Sequence, residues 1–144
     1  MSPRWLNSLV RARQLQEDAA KQNLATAERL ARRAQDRVRL VDERLDSLVA
    51  VEAEQSVPAF VAAAAALQAI AATHAAARHA AAEAEGEVAR TREDLGDSAR
   101  RRMGAEELQD RYVSGERARA AAHAQRDLDE IAARVHRDRM EGVQ

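Results

Sequence analysis

Apolar residues recur at alternating spacings of three and four along the first third of this chain. A frame of fourteen positions begins at Leu6 and ends at Glu52, and eleven of the fourteen are apolar. A heptad pattern sustained over that length is typical of a helix that packs along one stripe against another helix. Arg13 and Glu17 interrupt it within the helix and lie one turn apart. The frame consists of Leu6, Val10, Arg13, Glu17, Ala20, Leu24, Ala27, Ala31, Ala34, Val38, Val41, Leu45, Leu48 and Glu52.

The second half of the chain supplies a partner stripe for this helix. Ser2 and Pro3 have the residue types that favour a helix start, and the first helix is predicted over about residues 3–53. Pro58 disfavours helical geometry in the residue before it and can open a new helix, so a turn is predicted at about 54–58. A second helix is predicted over about 59–139. Its frame comprises Leu67, Ile70, His74, Ala77, Ala81, Ala84, Val88, Thr91 and Leu95.

The later part of the second helix has a less regular pattern. Gly96, Gly104 and Gly115 each disfavour helix by up to ~1 kcal/mol relative to Ala, so the helix can break near any of them. Leu108 and Tyr112 do not continue cleanly into the last apolar frame, which predicts a phase shift near Gly115. That last frame comprises Ala121, Ala124, Leu128, Ile131 and Val135.

These patterns predict an all-α fold in which two long helices form an antiparallel coiled-coil hairpin. The hairpin is a single domain over residues 1–144, and a continuous second helix would be the longer of the two by roughly 30 residues, since each helical residue advances 1.5 Å. Composition agrees with this fold, because 35 of the 144 residues are Ala and only three are aromatic. Too little large apolar volume is present for an ordinary compact core.

The residues give no support to an enzyme, a cofactor or a metal site. The chain has no Cys and no phosphate-binding or nucleophile motif, and carboxylates on straight helices are solvated. His74 and His79 are five residues apart, so they lie on different helix faces and do not have metal-ligand spacing. We therefore expect no catalytic, cofactor-binding or metal-binding residue.

Two further classes of partner are disfavoured. The most apolar run, residues 59–73, is shorter than the roughly 20 residues that span a bilayer, and no secretory signal is visible, so a cytoplasmic protein without membrane insertion is expected. The 23 basic residues include a single lysine, Lys21, but 24 acidic residues are interleaved with them. Because nucleic-acid binding needs an uncompensated basic surface, no nucleic-acid partner is expected.

Several stretches resemble the flagellar export protein family FliJ, the coiled-coil stalk of the flagellar type III export ATPase. The chain length and the first helix of about 50 residues are similar to the family's. The opening of the second helix from Phe60 to His74 is similar to a family segment with spaced Phe, Leu and Ile. The most specific piece is QRDLDEIAAR, residues 125–134, which resembles the family's acidic ending, with Glu106-Glu107-Leu108 before it. The low Lys and Gln content and the Ala-saturated middle depart from the family pattern.

The resemblance implies a non-enzymatic stalk or adaptor of the export apparatus. The family's stalk inserts into the ring of the export ATPase FliI, promotes its assembly, links it to the export gate protein FlhA, and can escort export chaperones. It would be a monomer in the cytoplasm, associated peripherally with the inner face of the cell membrane at the flagellar base. The residues carried over to the ATPase interface are Leu128, Asp129, Glu130, Ile131 and Arg134. Those carried over to the gate interface are Phe60, Leu67, Ile70 and His74.

Other interpretations stay open on the sequence alone. A generic coiled-coil scaffold would share the heptad pattern and would self-associate. The stalk of a type III injectisome would share the hairpin and its partners. An Arg-rich nucleic-acid binder is a third alternative, and its affinity would fall steeply with salt.

Overall fold

The computed structural model of the chain describes residues 2–49 and 56–143. Within these ranges it contains two α-helices, α1 (Arg4–Val49) and α2 (Val57–Glu141), and no strand. The two helices pack against each other as a hairpin. The predicted all-α fold, with the second helix the longer, is confirmed.

The helix starts differ slightly from those expected. The Pro3 carbonyl accepts bonds from the N–H groups of Leu6 (3.0 Å) and Asn7 (3.2 Å), so α1 begins at Arg4. The α2 helix begins at Val57, two residues before the expected start, and its first bond is donated by the Phe60 N–H to the Ser56 carbonyl at 2.9 Å. A proline such as Pro58 fits this first turn, because the N–H it lacks would have no partner there.

The structure describes only some of the other predicted boundaries. The expected end of the first helix at residue 53 and the first two turn residues, 54 and 55, lie outside the described residues. The α2 helix runs without interruption through Gly96, Gly104 and Gly115 and ends at Glu141, two residues beyond the expected 139. The unbroken alternative is therefore the one that the structure adopts.

Packing divides the helices into two units. Unit 1 contains the described residues up to Gln14 together with those from Arg100 onwards, and unit 2 contains Leu15–Ala99. Each unit therefore holds a part of both helices, and each has its own small core.

The core of unit 2 is built mainly from alanine. Ala27, Ala31 and Val88 form a buried cluster, and Leu24 and Ala84 pack against it. Small side chains let the two backbones approach closely, although each buries little apolar area at ~25 cal/mol per Å2. The predicted frames lie at these positions, and other members of both frames are buried too: Ala20, Val41, Ala77, Ala81 and Thr91.

Polar bonds between the helices run along one edge of unit 2. Arg92 Nη2 lies 3.6 Å from Glu28 Oε1, and Gln35 Nε2 donates to Glu85 Oε1 at 3.5 Å. Residue numbers rise by seven on α1 while they fall by seven on α2, which shows that the helices are antiparallel. Polar pairs that flank the apolar stripe of a coiled coil set partner choice and helix orientation.

Unit 1 is organised around Leu6, whose side chain is fully buried. Val10 and Ala105 are buried with it, and Gln109 Nε2 donates to Asn7 Oδ1 at 2.7 Å. The expected α2 frame at Leu108 and Tyr112 is wrong here, because both side chains are exposed. The buried and half-buried positions of this stretch are mainly polar or small, with Val113 among them: Arg102, Ala105, Glu106, Gln109, Val113, Gly115 and Glu116.

Candidate functional site

The start of α2 exposes an uncharged, alanine-rich segment. Residues 57–77, called the Ala-rich segment below, contain no Asp, Glu, Lys or Arg. Phe60 is 67% exposed and Leu67 is 40% exposed, whereas Ile70 and His74 are half-buried. The four predicted gate residues therefore lie along one stripe of α2, but the structure leaves only the first two accessible.

His74 forms a contact between the two helices of the hairpin. Its Nε2 lies 2.5 Å from Oδ1 of Asp42 on α1, and its side chain is 21% exposed. The same surface groove is lined by Val38, Arg78 and Ala81. This contact gives His74 a structural role within the packed part of the α2 stripe.

The composition of the Ala-rich segment is relevant to whether α2 could insert into a membrane. An 18-residue window of α2 has a mean hydropathy of 1.5, and none of that window is buried. By length and composition α2 is therefore able to cross a bilayer, and the expectation that its apolar run is too short is wrong. Alanine dominates this window, and insertion into lipid is driven chiefly by Leu, Ile, Phe and Val.

The second exposed region is the end of α2. Every described residue from 117 to 143, called the C-terminal segment below, is exposed. Leu128 is 61% exposed and Ile131 is 56% exposed. The other predicted ATPase-facing residues form local bonds along the helix: Gln125 Nε2 donates to Asp129 Oδ1 at 2.9 Å, and Arg134 Nη2 donates to Glu130 Oε1 at 2.8 Å.

Many ion pairs of the described residues join side chains three or four positions apart on one helix, such as Glu17–Lys21 and Glu87–Arg90. The Glu107–Arg111 and Glu116–Arg119 pairs are further examples in unit 1. No group of three or more His, Asp or Glu able to hold a metal ion occurs among residues 2–49 and 56–143. Surface pairs of this kind contribute about 0–1 kcal/mol each, so they keep the helices soluble more than they stabilise the fold.

The structure adds apolar residues that the sequence prediction did not include in either interface. Val57 and Val61 are 78% and 60% exposed and lie beside Phe60 on one face of α2. Val135 is 50% exposed and continues the line of Leu128 and Ile131. The signal was present in the sequence as i, i+3, i+4 spacing, but spacing does not reveal whether a partner helix covers that face.

Comparison with known proteins now identifies the family. The family model described as Flagellar FliJ protein matches residues 2–141. No curated protein matches the chain. No solved structure matches it either. Since the family model covers both helices and nearly the whole length, the chain belongs to the flagellar FliJ family and is a component of the flagellar protein export apparatus.

Proposed function

We propose that this chain is the non-enzymatic stalk of the flagellar export apparatus, promoting assembly of the export ATPase ring and coupling it to the export gate. The observation that carries the proposal is the family match over residues 2–141, on a hairpin that exposes apolar side chains near both ends of α2. The partners are a FliI-like ATPase ring and a FlhA-like gate protein. Export chaperones are further partners of the same kind.

The C-terminal segment is the part we assign to the ATPase ring. Leu128 and Ile131 are large apolar side chains on a helix that no other described part of the chain covers. Exposed aliphatic groups on an isolated helix are suited to a groove in a partner protein. Asp129, Glu130 and Arg134 border these two residues with charges of both signs. They would supply orientation more than affinity, because rim charges contribute little to binding strength.

Replacement of Leu128 by Asp tests the ATPase assignment. We expect the affinity for the ATPase, read from the concentration of stalk that stimulates ATP hydrolysis, to fall at least about tenfold, as for loss of an apolar anchor. Leu40→Asp is the matched control, because Leu40 is 63% exposed on α1, close to the 61% of Leu128. A folded Leu128→Asp protein that stimulates like wild type would remove this segment from the interface.

The start of α2 is the part we assign to the export gate. Phe60 and Leu67 are accessible, and Val57 and Val61 enlarge the apolar surface around Phe60. Ile70 and His74 would support this surface from within the hairpin, since both are half-buried. An uncharged patch centred on one aromatic residue has the character of a protein-binding hot spot.

Replacement of Phe60 by Asp tests the gate assignment. We expect binding to the purified cytoplasmic part of the gate protein, measured by titration calorimetry, to weaken at least about tenfold. Stimulation of the ATPase should stay at the wild-type level, and the Leu128→Asp protein should bind the gate normally. Loss of both activities in either variant would contradict two separate binding segments.

The proposed location follows from these partners. A stalk that binds a cytoplasmic ATPase and the gate would lie in the cytoplasm, at the inner face of the cell membrane below the flagellum. Its contact with the membrane would be peripheral and made through the gate. Cell fractionation with and without the gate protein separates this arrangement from direct insertion of the Ala-rich segment, which would keep the chain in the membrane fraction in both cases.

A further inference from the structure

The α1 helix carries four arginines close together on its surface. Arg29, Arg32, Arg33 and Arg37 are all exposed, and they span about 12 Å of the helix at 1.5 Å per residue. We call these four residues the arginine patch. Asp36 is the only acidic residue between positions 29 and 37, so this stretch has a net charge of +3.

The arginine patch lies on the solvent side of α1. At about 100° per residue, Arg29 and Arg33 are on the side away from the buried Ala31, and Arg32 and Arg37 flank them. All four belong to unit 2. The patch therefore takes no part in the packing of α1 on α2.

The acidic side chains nearest the patch are paired with other arginines. Glu28 Oε1 lies 3.6 Å from Arg92 Nη2 on α2, and Asp36 is paired with Arg39. No described residue forms an ion pair with a member of the patch. The patch therefore presents four positive charges that the described part of the hairpin does not neutralise.

This arrangement is unfavourable for the helix itself. Arg29 and Arg33, and likewise Arg33 and Arg37, are like charges four residues apart, and such pairs destabilise a helix. The one side-chain bond of the patch is donated by Arg29 Nη2 to Thr26 Oγ1 at 3.1 Å. Elsewhere on both helices an arginine or lysine has an acidic side chain at this spacing. A local arrangement that opposes stability is typical of a functional surface.

The charge around the patch indicates the size of its partner. Unit 2, Leu15–Ala99, contains ten basic and fifteen acidic residues, which gives a net charge of −5. Charges are screened over about 8 Å at physiological salt, so a narrow segment placed on the patch is attracted by the four arginines. A membrane or a nucleic-acid duplex is wider than the patch and would also meet the acidic groups of unit 2.

We propose that the arginine patch binds an acidic segment of a partner protein, a helix with Asp or Glu at every third or fourth residue. Arginine donates two parallel hydrogen bonds to a carboxylate, and carboxylates at this spacing along one helix face match arginines at the same spacing. The patch contains none of the residues assigned above to the ATPase or the gate. It is therefore a third binding surface, and its test does not depend on the proposed stalk function.

Binding of a synthetic Ala–Glu peptide tests the proposal. The peptide has Glu at every fourth position and about 20 residues, enough to form a helix, and the same peptide with Gln in place of Glu is the uncharged reference. We expect Arg33→Gln with Arg37→Gln to weaken peptide binding by the full chain at least about fivefold in fluorescence anisotropy. Arg4→Gln with Arg11→Gln is the matched control, because both arginines are exposed on α1 and the same charge is removed.

The control should change the affinity less than about twofold, since rim charges distant from a contact contribute little. Removal of like charges should not lower the melting temperature, so weaker binding by the Arg33→Gln, Arg37→Gln protein would report the surface itself. No binding of the Glu peptide by wild type, or equal affinities of the two double variants, would overturn the proposal.

The last arm compares other anionic partners. Wild type and the Arg33→Gln, Arg37→Gln protein are sedimented with phosphatidylglycerol vesicles and run in a gel shift with duplex DNA. We expect neither vesicles nor DNA to bind through the patch. If either binds wild type and is released by the two replacements, the patch recognises phosphate, and its assignment to an acidic protein segment is wrong.

Discussion

At the scale of single residues, the hairpin depends on very few large side chains. Leu6 is the one large side chain of the described residues that is fully buried, and most other core positions are Ala or Val. Polar residues enter the packed stripe as well: Glu17 is buried, with Lys21 Nζ 3.5 Å from its Oε1, and the buried Thr91 hydroxyl donates to the Glu87 carbonyl at 2.9 Å. These bonds satisfy groups that would otherwise be costly to bury.

Replacement of Leu6 by Ala should therefore lower the stability of this protein strongly. We expect the free energy of unfolding to fall by about 2–5 kcal/mol, the cost of removing a fully buried leucine side chain. Urea denaturation followed by circular dichroism gives the value. The control is Leu40→Ala, where a 63% exposed side chain should matter by less than about 0.5 kcal/mol. Equal losses in the two variants would mean that Leu6 does not anchor the unit 1 core.

At the scale of elements, α2 is an 85-residue helix that contains several glycines. Each interior glycine costs up to ~1 kcal/mol relative to Ala, but the surrounding Ala, Arg and Glu are strong helix formers and form many i, i+4 pairs. A helix of this composition persists through isolated weak positions, which is why Gly96, Gly104 and Gly115 do not break it. The expected phase shift near Gly115 stays a prediction, because packing ends at Glu116 and every described residue from 117 onwards is exposed.

Gly104 offers a direct test of this account. A Cβ added at Gly104 would meet no atom within 4 Å, so Gly104→Ala should raise the free energy of unfolding by about 0.5–1 kcal/mol. At Gly142, beyond the helix, an added Cβ would lie 3.2 Å from the Asp138 carbonyl oxygen, and Gly142→Ala should give no gain. Thermal unfolding measures the stability of both variants. A destabilised Gly104→Ala protein would show that the glycine is needed for packing.

At the scale of the whole molecule, the apolar stripes of α1 and α2 satisfy each other within one chain. The cross-helix pairs Glu28–Arg92 and Gln35–Glu85 join residues far apart in sequence, as an antiparallel hairpin requires. Intramolecular pairing leaves exposed apolar side chains in the Ala-rich segment and the C-terminal segment, and also single ones such as Leu30 and Leu40 on α1.

We therefore expect a monomer of 15.8 kDa in sedimentation equilibrium. The chain has no native cysteine, so Gln35→Cys with Glu85→Cys introduces a single thiol pair at an observed contact. A short thiol crosslinker should join the two within one chain and leave the mass unchanged. Crosslinked dimers at low protein concentration would indicate helices paired between copies and would contradict the monomeric stalk.

The sequence by itself determined the periodic features of this protein. Spacings of three and four predicted the packed stripes of both helices from Leu6 to Leu45 and from Ile70 to Leu95, because period and helix geometry are local properties. The quoted motifs and the family pattern indicated the export apparatus, while leaving the flagellar and injectisome systems unseparated until the family match.

Tertiary structure decided which faces are covered. Leu108, Tyr112 and Phe60 have the same chemical character as buried core residues, yet all three are exposed, whereas Gln109 and Arg102 take packed positions. The reason is that coverage depends on where α1 begins and ends relative to α2, and that offset is set by the sum of many weak contacts between residues distant in sequence. The contact between His74 and Asp42 was likewise set by tertiary packing, since nothing in the sequence near either residue specifies the other.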